Sequence, residues 1–158
     1  MYCDFYSITK REKDIPEFIN MLIKEIYRTA QNYDERWNFD TIFFGGGTPT
    51  LLQPQQIEKI LHALAVSFNI SNVKEITIEA NPGEAAKNKL ADFHSLGINR
   101  LSIGFQSLEQ DLLTFLSRIH TPKDCLNTYY NAQEVGFSGF VISELHFHPL
   151  FLYLVEVN

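Results

Sequence analysis

The chain has 158 residues, of which 45% are hydrophobic and 20% are charged, so it is long enough for one globular domain with its own core. Its formal net charge of −6, without a run of Lys or Arg, argues against a nucleic-acid or anionic-membrane partner and favours a small or neutral one. Cys3 and Cys125 are too few for a disulfide framework, and the start has no signal-peptide pattern. We therefore expect a soluble, cytoplasmic protein.

The first predicted element is a helix. Phe18, Leu22, Ile26 and Ala30 recur every four residues, which predicts a helix over Ile15–Tyr33 with these side chains along one face.

Strand and helix patterns then alternate to the end of the domain. Strands are predicted at 41–44, 74–79, 100–105 and 139–143, and helices at 54–64, 84–96, 109–116 and 122–136. Gly97 is a predicted left-handed C-cap of the helix before it. This order indicates an α/β fold with a parallel sheet, either doubly wound or part of a β/α barrel. In a partial barrel the strand at 41–44 would keep an unpaired edge, and we expect Ile42 and Phe44 to point inward there.

Three polar or glycine-rich stretches each lie at the end of a predicted strand. They are Gly45–Gly47, Glu79–Gly83 and Gly104–Ser107. The carboxyl ends of parallel strands carry the ligand in α/β folds, so we expect these stretches to form one site.

The residue types at these strand ends indicate the kind of ligand. A glycine turn offers backbone N–H donors, but the lysine of a P-loop is absent, which makes a P-loop unlikely. Glu79 can accept from vicinal hydroxyls or an ammonium group, Gln106 both donates and accepts, and Arg118 can bind a carboxylate. Together they suit a zwitterionic, ribose-bearing molecule. Two plainer interpretations stay open: the glycines as a tight turn only, and Glu79 with Arg118 as a structural ion pair.

Four ordered segments carry a family resemblance. The segments FFGGGTPT, EITIEANPG, GINRLSIGFQS and RIHT, with YCDF at the start, resemble the radical S-adenosylmethionine (SAM) family that contains oxygen-independent coproporphyrinogen III oxidase. They resemble its haem-chaperone branch, HemW, more closely still. The resemblance covers residues 2 to about 140 and implies a partial (β/α) barrel of about four βα units.

The resemblance also implies cofactors and the residues that bind them. Gly46, Gly47 and Thr48 would hold the methionyl end of SAM, and Glu79, Gln106 and Arg118 would bind its ribose and polar groups. Tyr2 would contribute a contact near a [4Fe–4S] cluster, and Cys3 would be the third cysteine of the CxxxCxxC cluster motif. The implied role of the full-length protein is haem binding and transfer, with haem or porphyrin as a partner.

The chain departs from the family pattern at both ends. The other two cluster cysteines would fall before Met1, and Ser143 stands where the family has an aspartate that helps bind SAM. We therefore predict a truncated radical SAM core at 1–143 and an atypical tail at 144–158, in which His146 and His148 alternate as they would to bind metal or haem. The alternatives are a coproporphyrinogen III oxidase and a non-functional gene fragment.

Overall fold

The computed structural model describes residues 10–32, 37–145 and 152–157. The predictions made for Tyr2, Cys3, Tyr33, His146 and His148 lie outside the described residues.

Helices and strands alternate as predicted, with ends that differ from the predicted ones by a few residues. The helices are α1 Ile15–Ala30, α2 Pro54–Ser67, α3 Lys87–Ser95, α4 Gln110–Phe115 and α5 Pro122–Val135. The strands are β1 Thr41–Phe44, β2 Glu75–Ala80, β3 Arg100–Gln106, β4 Gly139–Leu145 and β5 Leu152–Val157, and short 3-10 turns lie at Glu12–Asp14 and Pro49–Leu51. The strand β5 was not predicted. Gly97 does adopt a left-handed φ of +94°, which confirms its predicted role at the end of α3.

The order of the strands decides between the two predicted architectures. The sheet runs β1-β2-β3-β4-β5, with β1 to β4 parallel and β5 antiparallel to β4. A doubly wound sheet reverses its strand order at a switch point, whereas right-handed crossovers between successive neighbours keep the helices on one face. The sequential order is that of a partial β/α barrel, as the family resemblance implied.

The two faces of the sheet have different chemistry. Ile78, Leu101 and Ile103 are fully buried in the core beneath the helices. Successive side chains of a strand point to opposite faces, so Glu79 and Ser102, which are register partners on β2 and β3, lie on the other face. The helices thus cover one face, and the polar residues line the face that would be the inside of a barrel.

The prediction that Ile42 and Phe44 point into the barrel is wrong. Phe44 packs against the helix-side core clusters, and Ile42 shares its face because the two are two residues apart on β1. Phe43 is the residue on the open face, and 60% of it is exposed.

The predicted buried face of α1 is partly wrong. Ile19 and Ile26 are buried, with Leu22 packed beside them, in a cluster formed with α2. Phe18 is 59% exposed, so it lies off the buried stripe. The buried side chains follow the 3.6-residue period of the helix and include Ile19. The predicted spacing of four residues, counted from Phe18, did not include Ile19.

Candidate functional site

A cavity opens at the carboxyl ends of the parallel strands, on the open face of the sheet. It has a volume of about 140 Å³. Every predicted SAM contact that lies among the described residues lines it: Gly46, Gly47, Thr48, Glu79, Gln106 and Arg118. These six residues lie between positions 46 and 118 of the chain, and they converge on one place because successive parallel strands end at the same edge. Asn81, Ser102, Gly104 and Ser143 also line the cavity.

The loop after β1 is held to the end of β2 by one hydrogen bond. The backbone N–H of Gly46 donates to Oε2 of Glu79 at 2.9 Å. Gly46 has a φ of +120°, which L side chains rarely adopt, and no protein atom lies within 4 Å of where its Cβ would stand. At Gly45 an added Cβ would lie 2.6 Å from Cε1 of Phe43. Glycine is therefore required at position 45 because a side chain would clash with Phe43, and at position 46 because of the left-handed backbone. The absence of a side chain at Gly46 also leaves open space there.

A chain of hydrogen bonds joins three loops around the cavity. Nη2 of Arg118 donates to Oδ1 of Asn81 at 2.8 Å, and Nδ2 of Asn81 donates to Oγ1 of Thr48 at 3.1 Å. The Thr48 hydroxyl in turn donates to the Gly47 carbonyl oxygen at 2.7 Å. Arg118 also reaches the Gly104 carbonyl oxygen at 3.4 Å. These bonds fix the cationic guanidinium beside the glycine loop.

The far wall of the cavity is formed by the ends of β3 and β4. Nε2 of Gln106 donates to Oγ of Ser143 at 3.1 Å, and Gln106 is buried with a left-handed φ of +68°. An added Cβ at Gly104 would lie 3.1 Å from Nε2 of Gln106 and 3.3 Å from Nη2 of Arg118. Because Gly104 has no side chain, the side chains of Gln106 and Arg118 can both lie close to its backbone on β3.

Two residues support this edge of the sheet from behind. Nζ of Lys89 on α3 donates to the Thr50 carbonyl oxygen at 2.6 Å, and burial lowers the pKa of its ammonium group. The buried imidazole of His120 places Nε2 3.0 Å from the Phe105 carbonyl oxygen. Burial lowers the pKa of His120, and the nearby Arg118 charge adds to this effect, while the hydrogen bond to Phe105 opposes it. The neutral ring therefore donates through Nε2 and holds the end of β3.

The donors and acceptors around the cavity match a zwitterionic nucleoside. A carboxylate, a guanidinium, a primary amide, hydroxyls and bare backbone lie together, which is the set that an amino-acid group and a ribose require. Ligand pockets usually measure about 300 to 1,000 Å³, so the present cavity would enclose part of such a molecule and leave the remainder on the open face.

An iron–sulfur site has no candidate among the described residues. Within 10–32, 37–145 and 152–157, no three His, Cys, Asp or Glu side chains come together as a metal site. Cys125 is fully buried on the inner side of α5, in the core. Cys3 is the other cysteine of the chain, and a [4Fe–4S] cluster in this family would need further thiolates besides it.

Comparison with known protein families identifies the class of protein that has this fold and cavity. The chain belongs to the radical SAM superfamily, whose model matches residues 1–150. Among solved structures it is similar to coproporphyrinogen III oxidase (HemN) from Escherichia coli, a radical SAM enzyme, with a TM-score of 0.80, 27% identity, and coverage of 90% of this chain and 33% of that one.

Within the superfamily the chain is similar to haem chaperones. It is 36% identical over 139 residues to heme chaperone HemW of Bacillus subtilis, which covers 87% of this chain and 36% of that protein. It is 37% identical over 134 residues to the mitochondrial radical S-adenosyl methionine domain-containing protein 1 of Danio rerio, covering 85% of this chain and 30% of that one. The chain therefore spans about a third of the length of these relatives. In the part of the chain that the structure describes, no helix is long and apolar enough to cross a membrane.

Sequence analysis placed Asn81 in the Glu79–Gly83 stretch of the predicted site but gave its side chain no contact, and it did not single out Ser102. The signal for Asn81 was its place two residues after Glu79 at a strand end, and the signal for Ser102 was period-two alternation with Gly104.

Proposed function

We propose that this chain is the SAM-binding part of a HemW-like radical SAM protein, and that the whole protein acts in haem binding and transfer. Gly46, Gly47 and Thr48 hold the methionyl end of SAM, and Glu79, Gln106 and Arg118 bind its ribose and polar groups. Tyr2 contacts the ligand near the cluster, and Cys3 is one thiolate ligand of the cluster. Residues 1–143 form the radical SAM core, and 144–158 form an atypical C-terminal tail.

One observation carries this proposal: all six proposed SAM contacts within the described residues line the same cavity. They come from the ends of three strands and from the loop after α4, so no local sequence constraint brings them together. In this arrangement Arg118 offers a fixed positive charge to the ligand carboxylate. Glu79 is held by the Gly46 amide, and its carboxylate accepts from ribose hydroxyls.

When a [4Fe–4S] cluster is bound, it supplies the electron that cleaves the sulfonium of SAM. The residues of this chain orient SAM and shield it. Gly46 leaves the space that the ligand occupies, and the hydrogen-bonded Gln106–Ser143 pair forms a wall against which the nucleoside lies.

Titration of the chain with SAM tests the proposal. Without the iron that anchors the amine and carboxylate, we expect a dissociation constant in about the high micromolar to millimolar range. Glu79→Gln keeps an oxygen for the Gly46 amide but removes the charge, and it should weaken binding about tenfold. The matched control is Glu58→Gln, since Glu58 is exposed on α2, away from the cavity. Absence of SAM binding, or equal affinity in the two variants, would reject this site.

A second function, coproporphyrinogen III oxidation, is favoured by the structural likeness to HemN. The two functions differ in what the full-length protein does with a tetrapyrrole. A haem chaperone binds haem and passes it on unchanged, whereas the oxidase consumes coproporphyrinogen III with SAM as oxidant. Anaerobic assay of the cluster-loaded, full-length protein with coproporphyrinogen III, beside haem titration followed by absorbance, distinguishes the two. Haem binding without loss of the porphyrinogen supports the chaperone.

A further inference from the structure

The Asn81 side chain connects two parts of the cavity that are far apart in the sequence. Its amide lies between Arg118, in the loop after α4, and Thr48, in the loop after β1. It also donates to Oε2 of Glu84 at 3.1 Å. The guanidinium only donates, so Oδ1 of Asn81 must face Arg118, and both N–H groups are then directed to Thr48 and Glu84. One amide therefore makes three hydrogen bonds, each with the correct polarity.

Thr48 extends this set of hydrogen bonds to the glycine loop. Its hydroxyl donates to the Gly47 carbonyl oxygen and accepts, through an oxygen lone pair, from Nδ2 of Asn81. A change at Asn81 would thus remove one hydrogen-bond acceptor from the guanidinium and, at the same time, the donor to the Thr48 hydroxyl.

We propose that Asn81 is a positioning residue, which sets Arg118 and Thr48 in the arrangement that binds the amino-acid arm of SAM. This inference rests on the proposed function. Because Asn81 is neutral, it orients the guanidinium without cancelling its charge, and the full charge is available to the ligand carboxylate. The ribose contacts, Glu79 and Gln106, hydrogen-bond to Gly46 and Ser143 rather than to Asn81, so a change at Asn81 should affect the amino-acid arm of the ligand most.

The test compares two ligands on the full chain by saturation-transfer NMR titration. SAM carries the amino-acid arm, and 5′-methylthioadenosine lacks it. Asn81→Ala should weaken SAM about tenfold and 5′-methylthioadenosine less than about twofold. Asn81→Asp keeps an oxygen acceptor for Arg118, but it loses the N–H donors to Thr48 and Glu84 and adds a negative charge beside the guanidinium, so it should bind SAM no better than Asn81→Ala. Asn69→Ala is the matched control, since Asn69 lies in the turn before β2, at the opposite end of that strand, where it accepts from Ser71.

The outcomes separate this inference from the function on which it rests. If the unaltered chain binds neither ligand, the proposed SAM site fails and the role of Asn81 fails with it. If SAM binds but Asn81→Ala weakens both ligands equally, Asn81 has only a structural role and the SAM site stands. Recovery of SAM affinity in Asn81→Asp would overturn the argument from a neutral, donating amide. Should Asn81→Ala not fold, Asn81→Leu keeps the volume, and its affinities for the two ligands are compared with those of the unaltered chain in the same way.

Discussion

The amide nitrogen of Gly46 lies 2.9 Å from Oε2 of Glu79, although the two residues are 33 positions apart in the sequence. This contact is possible because β1 and β2 are parallel neighbours that end at the same edge. It places a backbone donor and a carboxylate side by side at the mouth of the cavity, and the first prediction follows from it.

Gly46→Val should abolish detectable SAM binding. The glycine has space where the side chain would stand and lines the cavity, so the added methyl groups would occupy volume that the ligand needs. Gly97→Val is the control, because Gly97 also has a positive φ, of +94°, but lies at the end of α3. Both variants should lose about 1 to 2 kcal/mol of stability from the left-handed backbone. Calorimetry and thermal unfolding separate the effects, and unchanged SAM affinity in Gly46→Val would mean that the glycine run is only a turn.

Gly104→Ala should weaken SAM binding with little loss of stability. Its Cβ would stand 3.1 Å from Nε2 of Gln106 and 3.3 Å from Nη2 of Arg118, so at least one of these side chains must move. Because Gly104 is not in a left-handed conformation, the backbone accepts alanine. We expect about a threefold to tenfold loss of affinity by calorimetry, from the displaced hydrogen bonds. A large drop in the unfolding free energy with no change in affinity would contradict the placement of Gly104 in the site.

Iron–sulfur reconstitution of the chain should give much less than one [4Fe–4S] cluster per molecule. Such a cluster in this family uses several thiolates, and of the two cysteines Cys125 is buried in the core. Iron and sulfide analysis with visible absorption measures the yield under anaerobic conditions. Cys125→Ala should leave the small yield unchanged, and Cys3→Ala should remove it. Near-stoichiometric cluster in the monomer would contradict this prediction.

Stability should fall as the pH drops below the ordinary pKa of histidine, in part because of His120. Burial lowers the pKa of His120 in the folded chain from its usual 6.5. As the pH falls below about 6.5, His120 therefore takes up a proton in the unfolded chain before it does so in the folded chain. Protonation then favours the unfolded state. In His120→Gln this part of the pH dependence should disappear, and in the control His62→Gln, altered at an exposed position on α2, it should remain. Urea unfolding between about pH 5 and 8 measures it. Parallel pH profiles for His120→Gln and the unaltered chain would disprove this role.

The isolated chain should be prone to aggregation through β1. Within the described residues this strand pairs with β2 alone, and Phe43 is exposed on its open face. Phe43→Thr should therefore reduce aggregation in size-exclusion chromatography. Phe44→Thr, on the opposite face of the same strand, should instead destabilise the core by about 1 to 3 kcal/mol. A monodisperse monomer that unfolds cooperatively without either change would show that these units form a self-sufficient domain.

The alternation of strands and helices was already determined by the sequence. Short runs of β-branched and aromatic residues such as Thr41–Phe44, cut off by glycine, indicate strands, and Pro54 and Pro122 begin helices because proline suits a first turn. The position of Gly46, Glu79 and Gln106 at strand ends also followed from the pattern, since parallel strands share one edge.

The tertiary structure alone decided which faces are buried and which side chains meet. Whether Phe43 or Phe44 faces the helices depends on the register of β1 against β2, which period-two alternation leaves ambiguous. Likewise Asn81 contacts Thr48 and Arg118 only because three loops close over one cavity, and β5 joins the sheet through pairing with β4. Contacts of this kind join residues distant in the chain, so local sequence patterns do not contain them.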